Sequence, residues 1–113
     1  MPDLDAMVRS ELLFREVNER IYDMGASDTE PLEVLCECGD ELCISTLVIS
    51  VRDYRRVRGA NSRFVVCEGH ELADIERVVE RTPQYLVVEK VGRARRMVER
   101  GGSRSLPPVS RSG

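Results

Sequence analysis

Tryptophan is absent from the sequence, histidine and lysine occur once each, and aromatic residues make up only 4% of the 113 residues. A chain of this length allows one domain that buries a modest share of its surface, so a bound metal would add substantially to its stability. No apolar run reaches the roughly 18 to 20 residues that cross a bilayer. The first residues also lack the basic-then-apolar order of a secretory signal. We therefore expect a cytoplasmic protein that does not contact a membrane.

Signatures of catalysis are also missing. The chain contains no Gly-rich phosphate loop, no nucleophile elbow and, with a single histidine, no His-rich catalytic cluster. Its formal net charge is −3 and its pI is about 5.3, whereas a dedicated nucleic-acid-binding domain is usually basic. These absences favour a binding module over an enzyme.

The cysteines are spaced in a way that indicates a chemical role, because three of the four lie within eight residues. Cys36, Cys38 and Cys43 form C-x-C-x4-C, and the longer spacer contains a Gly-Asp turn. In the reducing cytoplasm, clustered cysteines are typical of metal sites or reactive thiols rather than disulfides. Alternate residues of a strand share a face about 6.6 Å apart. Because zinc-bound thiolates lie within about 3.8 Å of one another, these side chains need only lean together where the strand bends.

The single histidine is the best candidate for a fourth ligand. His70 follows Gly69 in a polar turn, and Cys67 is a competing ligand that could equally be a small core residue. We predict one structural Zn²⁺ per chain, held by Cys36, Cys38, Cys43 and His70, a set that closes the tetrahedral coordination of zinc. Two alternatives are reduced core cysteines with a surface histidine, and redox-active thiols. A Cys36–Cys38 disulfide would close a strained small ring.

Hydrophobic periodicity predicts an α+β fold, with a long N-terminal helix and a small, mainly antiparallel sheet stabilised by zinc. Apolar residues from Leu4 to Met24 keep helical spacing, and Gly25 ends this helix. Runs rich in β-branched residues predict strands within 32–39, 44–50, 63–69, 77–81 and 84–90. The last two flank Thr82-Pro83, which predicts a hairpin.

Two short helices complete the predicted order. Ser50 and Asp53 form a capping box for a helix that Gly59 closes. The sequence of residues 92–100 predicts a basic helix. We expect one zinc-binding domain at 1–100 and a disordered tail at 101–113, since the tail has few core-forming residues.

Six segments resemble, in order, the motifs of a family of small uncharacterised bacterial proteins: LFREVNERI, CECGDELC, DYRRVR, RFVVCEGHE, ERVVER and YLVVEK. The family pattern reads FRExNExI, CECxxxxC, EYExVR, RFxVxPGHE, ExVVE and YxVVEK, and the resemblance covers about residues 13–90. It implies the same metal-type residues, three cysteines and His70, but no established activity. The chain departs from the pattern at Cys67-Glu68, usually an apolar residue and proline, and at Asp53, usually glutamate.

The charges are unevenly distributed along the chain. Residues 1–42 carry 12 acids and 3 bases, whereas residues 43–113 carry 8 acids and 14 bases, so the halves attract each other or face different partners. The arginine-rich segments 52–63 and 90–104 could follow a phosphate backbone, with Tyr54 stacking on a base. The alternative is a solvated helix face, with Tyr54 and Val57 packed inward and arginines paired to acids of the first helix.

The first helix offers another interaction surface. If one small sheet cannot cover both Phe14 and the stripe of Leu13, Val17 and Ile21, the helix has spare apolar surface for a protein partner or a second copy of the chain. The alternative is a wide buried face. We predict a small intracellular zinc-binding module with a binding or regulatory role. The alternatives are a nucleic-acid-associated factor and a zinc-dependent hydrolase with Glu71 as general base. Glu37, between two ligands, is interpreted as a solvated or supporting carboxylate.

Overall fold

Three helices and five strands make up residues 3–100, the part of the chain that the computed structural model describes. In chain order they are α1 (Leu4–Asp23), β1 (Pro31–Leu35), β2 (Thr46–Ser50), α2 (Val51–Val57), β3 (Arg63–Val66), β4 (Glu76–Arg81), β5 (Leu86–Lys90) and α3 (Gly92–Arg100). The predicted α+β class and the long N-terminal helix are confirmed. The predicted disorder of the tail, 101–113, lies outside the described residues. Within those residues, no helix combines the length and apolar character needed to cross a membrane.

The strands form two antiparallel sheets, where the sequence predicted one. β1 pairs with β2, and β5 lies between β3 and β4 in a three-stranded sheet. Glu37 joins the two sheets, because its backbone N–H donates to Val65 O at 2.8 Å and its carboxylate accepts from Val65 N–H at 3.0 Å. The chain that leaves β1 therefore runs beside β3, which brings the cysteine segment to the end of the larger sheet.

Local chemistry explains where the helices begin. The Asp3 carboxylate accepts from Asp5 N–H at the start of α1, and the Ser50 hydroxyl accepts from Asp53 N–H at 3.1 Å at the start of α2. Both contacts satisfy amide groups that a first helical turn leaves without partners. The capping predicted for the second helix is confirmed.

The buried face of α1 is largely polar, and part of the predicted apolar stripe lies exposed instead of forming a wide buried face. Leu13 is 56% exposed and Val17 is 38% exposed. The buried residues are Val8, Glu11, Arg15, Asn18, Glu19 and Tyr22. The reason is that the polar members have partners elsewhere in the chain, and a buried polar group with its hydrogen bonds made is tolerated.

Asn18 and its neighbours bind the helix to the strands. The Asn18 amide donates to Leu35 O at 2.9 Å and accepts from Leu35 N–H at 2.8 Å, which covers the edge of β1. Arg15 donates to Asn61 O at 2.7 Å and stacks over the Phe64 ring at 4.6 Å. These contacts fix the register of α1 against β1 and β3, the two strands that lead into the cysteine and histidine segments.

A buried ion triad lies under the same helix. Lys90 Nζ donates to both the Glu11 and the Glu76 carboxylates, and all three side chains have almost no exposed surface. Burial raises the pKa of Glu11 to about 7, while the positive charge of Lys90 acts in the opposite direction. Glu11 also lies against Gly39, so the triad supports the turn that carries the cysteines.

Candidate metal centre

Two loops bring one histidine and three cysteines together. Cys36 and Cys38 follow β1, Cys43 lies in the loop before β2, and His70 lies in the turn after β3. Their ligand atoms all lie within 4.8 Å of one another. Cys36 Sγ is 3.5 Å from His70 Nδ1, and Cys43 Sγ is 3.7 Å from the same nitrogen. The structure thus places the four residues that the sequence predicted in a single group.

The dimensions of this group fit a tetrahedral metal ion. With metal–sulfur bonds of about 2.3 Å and metal–nitrogen bonds of about 2.0 Å, a tetrahedral angle separates sulfur from nitrogen by about 3.5 Å. The two sulfur–nitrogen distances in the structure, 3.5 and 3.7 Å, are close to that value. All four cysteines of the chain are free of disulfides. The Cys3His group can therefore bind a metal ion, with Nδ1 as the histidine ligand atom.

The turn that folds Cys43 back towards the first two cysteines depends on short polar contacts. Gly39 has φ of +83°, a left-handed conformation that glycine adopts without steric cost. Asp40 O then accepts from Cys43 N–H at 2.9 Å, and the Asp40 carboxylate accepts from Leu42 N–H at 2.9 Å. The side chain and backbone of Asp40 together aim Cys43 Sγ at the group.

Substituting the two glycines of the site separates backbone strain from crowding. Gly69→Ala, at φ +86° with open space around the added carbon, should cost about 1 to 2 kcal/mol from the left-handed conformation alone. Gly39→Ala carries the same strain and also places its Cβ 2.9 Å from Glu11 Cγ, so we expect a clearly larger loss. Urea unfolding of both metal-loaded variants measures the difference. Equal losses would show that the contact with Glu11 relaxes freely.

The Cys36 and Cys38 side chains influence each other. A hydrogen bond between the two sulfurs raises the pKa of the Cys36 thiol and lowers the pKa of the Cys38 thiol to about 5. Cys67 N–H donates to Cys36 Sγ at 3.2 Å, and Asp40 N–H donates to Cys38 Sγ. Such N–H donors offset the negative charge that accumulates on sulfur when a metal replaces the proton.

Glu37, between two of the cysteines, is completely buried, which corrects the interpretation of a solvated carboxylate. It accepts from the Asn18 amide at 2.8 Å and from the Tyr54 hydroxyl at 2.9 Å, in addition to Val65 N–H. Burial raises its pKa, and the bonds from Asn18 and Val65 partly oppose this. Its side chain points away from the metal group, so Glu37 fixes the strand between two candidate ligands.

Tyr54 has no exposed surface, because its ring packs in the core and its hydroxyl reaches Glu37. It cannot stack on a base in this conformation, which corrects the nucleic-acid alternative on that point. The inward packing of Tyr54 and Val57 is confirmed. The role of Glu37 was not readable from the sequence, since its partners Asn18, Tyr54 and Val65 come from three different elements.

Many arginines of the first basic segment already have acidic partners. Arg55 binds Asp28 through two hydrogen bonds of 3.0 Å, Arg56 donates to Glu80 at 2.9 Å, and buried Arg58 donates to Glu19 at 3.3 Å. The Arg55 and Arg58 pairs, like the Lys90–Glu11 pair, join the basic and acidic halves of the chain, and the Arg58 pair involves the acidic first helix.

Comparison with known proteins returns no match: no family model, curated protein or solved structure matches the chain. The resemblance to the small bacterial family therefore stays a prediction.

Proposed function

We propose that this protein is a small zinc-binding module in which a single Zn²⁺, held by Cys36, Cys38, Cys43 and His70, has a structural role. The observation that carries the proposal is the grouping of one imidazole nitrogen and three sulfurs within 4.8 Å of one another, with two of the sulfurs 3.5 and 3.7 Å from that nitrogen. Three thiolates and one imidazole are a donor set typical of structural zinc. A zinc–thiolate centre suits a reducing compartment, so we place the protein in the cytoplasm.

The closed ligand set favours a structural role over hydrolysis. A hydrolytic zinc keeps one coordination position for water, whereas four protein ligands fill the tetrahedron. Cys36 and Cys38 are also almost completely buried. The hydrolase alternative would require one thiol to leave the metal and Glu71 to act as general base. A module that works through surface contacts needs neither change.

The metal content of the purified protein tests the proposal. We expect about one zinc per chain in the wild type and a large loss in Cys43→Ser and His70→Ala, because each variant removes one of four ligands. Cys67→Ser is the matched control, since it removes a neighbouring thiol outside the group of four. Metal analysis by plasma mass spectrometry gives the ratio. A metal-free wild type with normal folding would contradict the proposal.

We propose in addition that the exposed apolar part of α1 contacts a protein partner or a second copy of the chain. Leu13 and Val17 lie one turn apart on α1, and both are substantially exposed. If a second copy covers them, the wild type should be a dimer in light scattering, and Leu13→Glu should make it a monomer. A Glu16→Gln control on the exposed side should leave the mass unchanged. A monomeric wild type would leave only a different protein as partner.

A further inference from the structure

One thiol lies beside the metal group without belonging to it. Cys67 follows β3, and its backbone N–H donates to Cys36 Sγ at 3.2 Å. Its own thiol donates to Thr46 O at 3.6 Å and is in hydrogen-bonding contact with the Cys36 sulfur. Cys67 thus places a thiol that is not one of the four candidate ligands next to Cys36, a buried candidate ligand.

The two cysteines lie on neighbouring chain segments whose spacing suits a covalent bond. Because Glu37 N–H donates to Val65 O at 2.8 Å, the chain after β1 runs beside β3 at the separation of hydrogen-bonded strands. Cys67 N–H reaches Cys36 Sγ across this gap at 3.2 Å. A disulfide joins Cα atoms about 4.4 to 6.8 Å apart, a span that adjacent hydrogen-bonded segments offer. Because the two cysteines are 31 positions apart in the chain, a bond between them avoids the strained small ring of a Cys36–Cys38 bond.

Access to the two sulfurs differs. Cys36 is only 1% exposed, whereas Cys67 is half-buried and reaches the surface beside Thr46. A small oxidant therefore meets Cys67 first, and the sulfur directly behind it belongs to the metal group.

We propose that Cys67 and Cys36 form an oxidation site for hydrogen peroxide, and that a disulfide between them releases the metal. This inference rests on the proposed zinc site and assigns its regulation. Cys67 sulfur attacks the O–O bond of the peroxide, which breaks; Cys67 becomes a sulfenic acid, and the thiol proton leaves in a water molecule. Cys36 thiolate then attacks the Cys67 sulfur, the S–S bond forms, and the hydroxide that leaves takes a proton from solvent.

The balance of the reaction explains the effect on the metal. Two sulfurs are each oxidised by one electron, and one peroxide is reduced by two electrons to two waters. The ion keeps Cys38, Cys43 and His70 but loses the Cys36 thiolate, so its affinity falls and it passes to solvent. Thiol reductants reverse the disulfide, and zinc then rebinds.

The experiment uses the full zinc-loaded chain and hydrogen peroxide as the probe. A colorimetric chelator follows zinc release, and mass spectrometry of unreduced peptides maps the disulfide in wild type, Cys67→Ser and Cys67→Ala. We expect the wild type to form the Cys36–Cys67 bond as it releases zinc. Both variants should bind zinc normally before treatment and release it at least about tenfold more slowly, because no partner thiol captures the oxidised sulfur. The alanine variant serves if the serine variant does not fold.

Three results would overturn the inference. They are release at the wild-type rate in both variants, a mapped bond between other cysteines, and loss of zinc from both variants before any peroxide, which would make Cys67 a ligand. A wild type that carries no zinc at the outset refutes the proposed function instead. In that case, the disulfide mapped in the metal-free protein tests only whether Cys36 and Cys67 are the pair that forms.

Discussion

Removal of the metal is expected to unfold at least the β1–β2 half of the protein. Structural zinc contributes about 10 kcal/mol or more of apparent binding free energy, and small domains are stable by only about 5 to 15 kcal/mol in total. The loop between β1 and β2, residues 36–45, contains three of the four candidate ligands and no regular secondary structure. A two-stranded sheet is only marginally stable by itself. The metal is therefore the main constraint on the loop that connects β1 to β2.

The exposure of the loop supports this expectation. Leu42 is 82% exposed and Ile44 is 90% exposed, so the residues on both sides of Cys43 gain little from apolar burial. Without a metal, Cys43 is held by the turn contacts of Asp40, by the contact of its sulfur with His70 Nδ1 and by packing against the core. The conformation of the loop around Cys43 therefore depends mainly on the contacts of the Cys43 sulfur.

Thermal unfolding before and after treatment with a strong chelator measures the effect. We expect a large fall in melting temperature, restored when zinc is added back, and loss of amide protection in β1 and β2 before the three-stranded sheet. Because the thiols must lose their protons to bind, zinc should also dissociate more readily as the pH falls. An unchanged melting temperature in chelator would contradict a structural role for the metal.

The sequence allowed the elements of the fold to be predicted because their signals are local. Helical spacing predicted α1, the Ser50 and Asp53 pair predicted the start of α2, and Thr82-Pro83 predicted the hairpin of β4 and β5. The grouping of Cys36, Cys38 and Cys43 was predictable for the same reason, since one short turn connects them. His70 was found by elimination, because the chain has no other histidine.

The orientation of α1 could not be predicted, because it depends on partners distant in the chain. Periodicity assigns apolar residues to the core, yet Leu13 is exposed and Glu11 is buried. Glu11 is buried because Lys90, 79 positions later, lies beneath it. A charge pair between residues that far apart in the chain cannot be recognised from the spacing of neighbouring residues. The same limit concealed Glu37, whose amide, hydroxyl and backbone donors come from three different elements.

Replacement of Lys90 by methionine is expected to be the most destabilising single change outside the metal group. Lys90 has no exposed surface, and its ammonium group is shared by the buried carboxylates of Glu11 and Glu76. Removing one member of a buried ion group leaves uncompensated charge and typically costs about 3 to 5 kcal/mol. The second oxygen of Glu11, Oε1, is buried without a hydrogen-bond partner among the described residues, so the Glu11 carboxylate depends on Lys90. Urea unfolding of the zinc-loaded Lys90→Met variant measures the loss.

Arg77→Met provides the matched control, because Arg77 pairs with Glu89 at 2.9 Å but its side chain is 68% exposed. An exposed pair of this kind contributes about 1 kcal/mol or less, so the two methionine variants should differ severalfold in lost stability. Adding Glu11→Gln and Glu76→Gln to Lys90→Met should recover part of the loss, because no unpaired charge then stays buried. Equal losses in Lys90→Met and Arg77→Met would mean that water or a shift of α1 compensates the two carboxylates. The buried face of α1 would then be less rigid than its hydrogen bonds imply, and its support of the Gly39 turn correspondingly weaker.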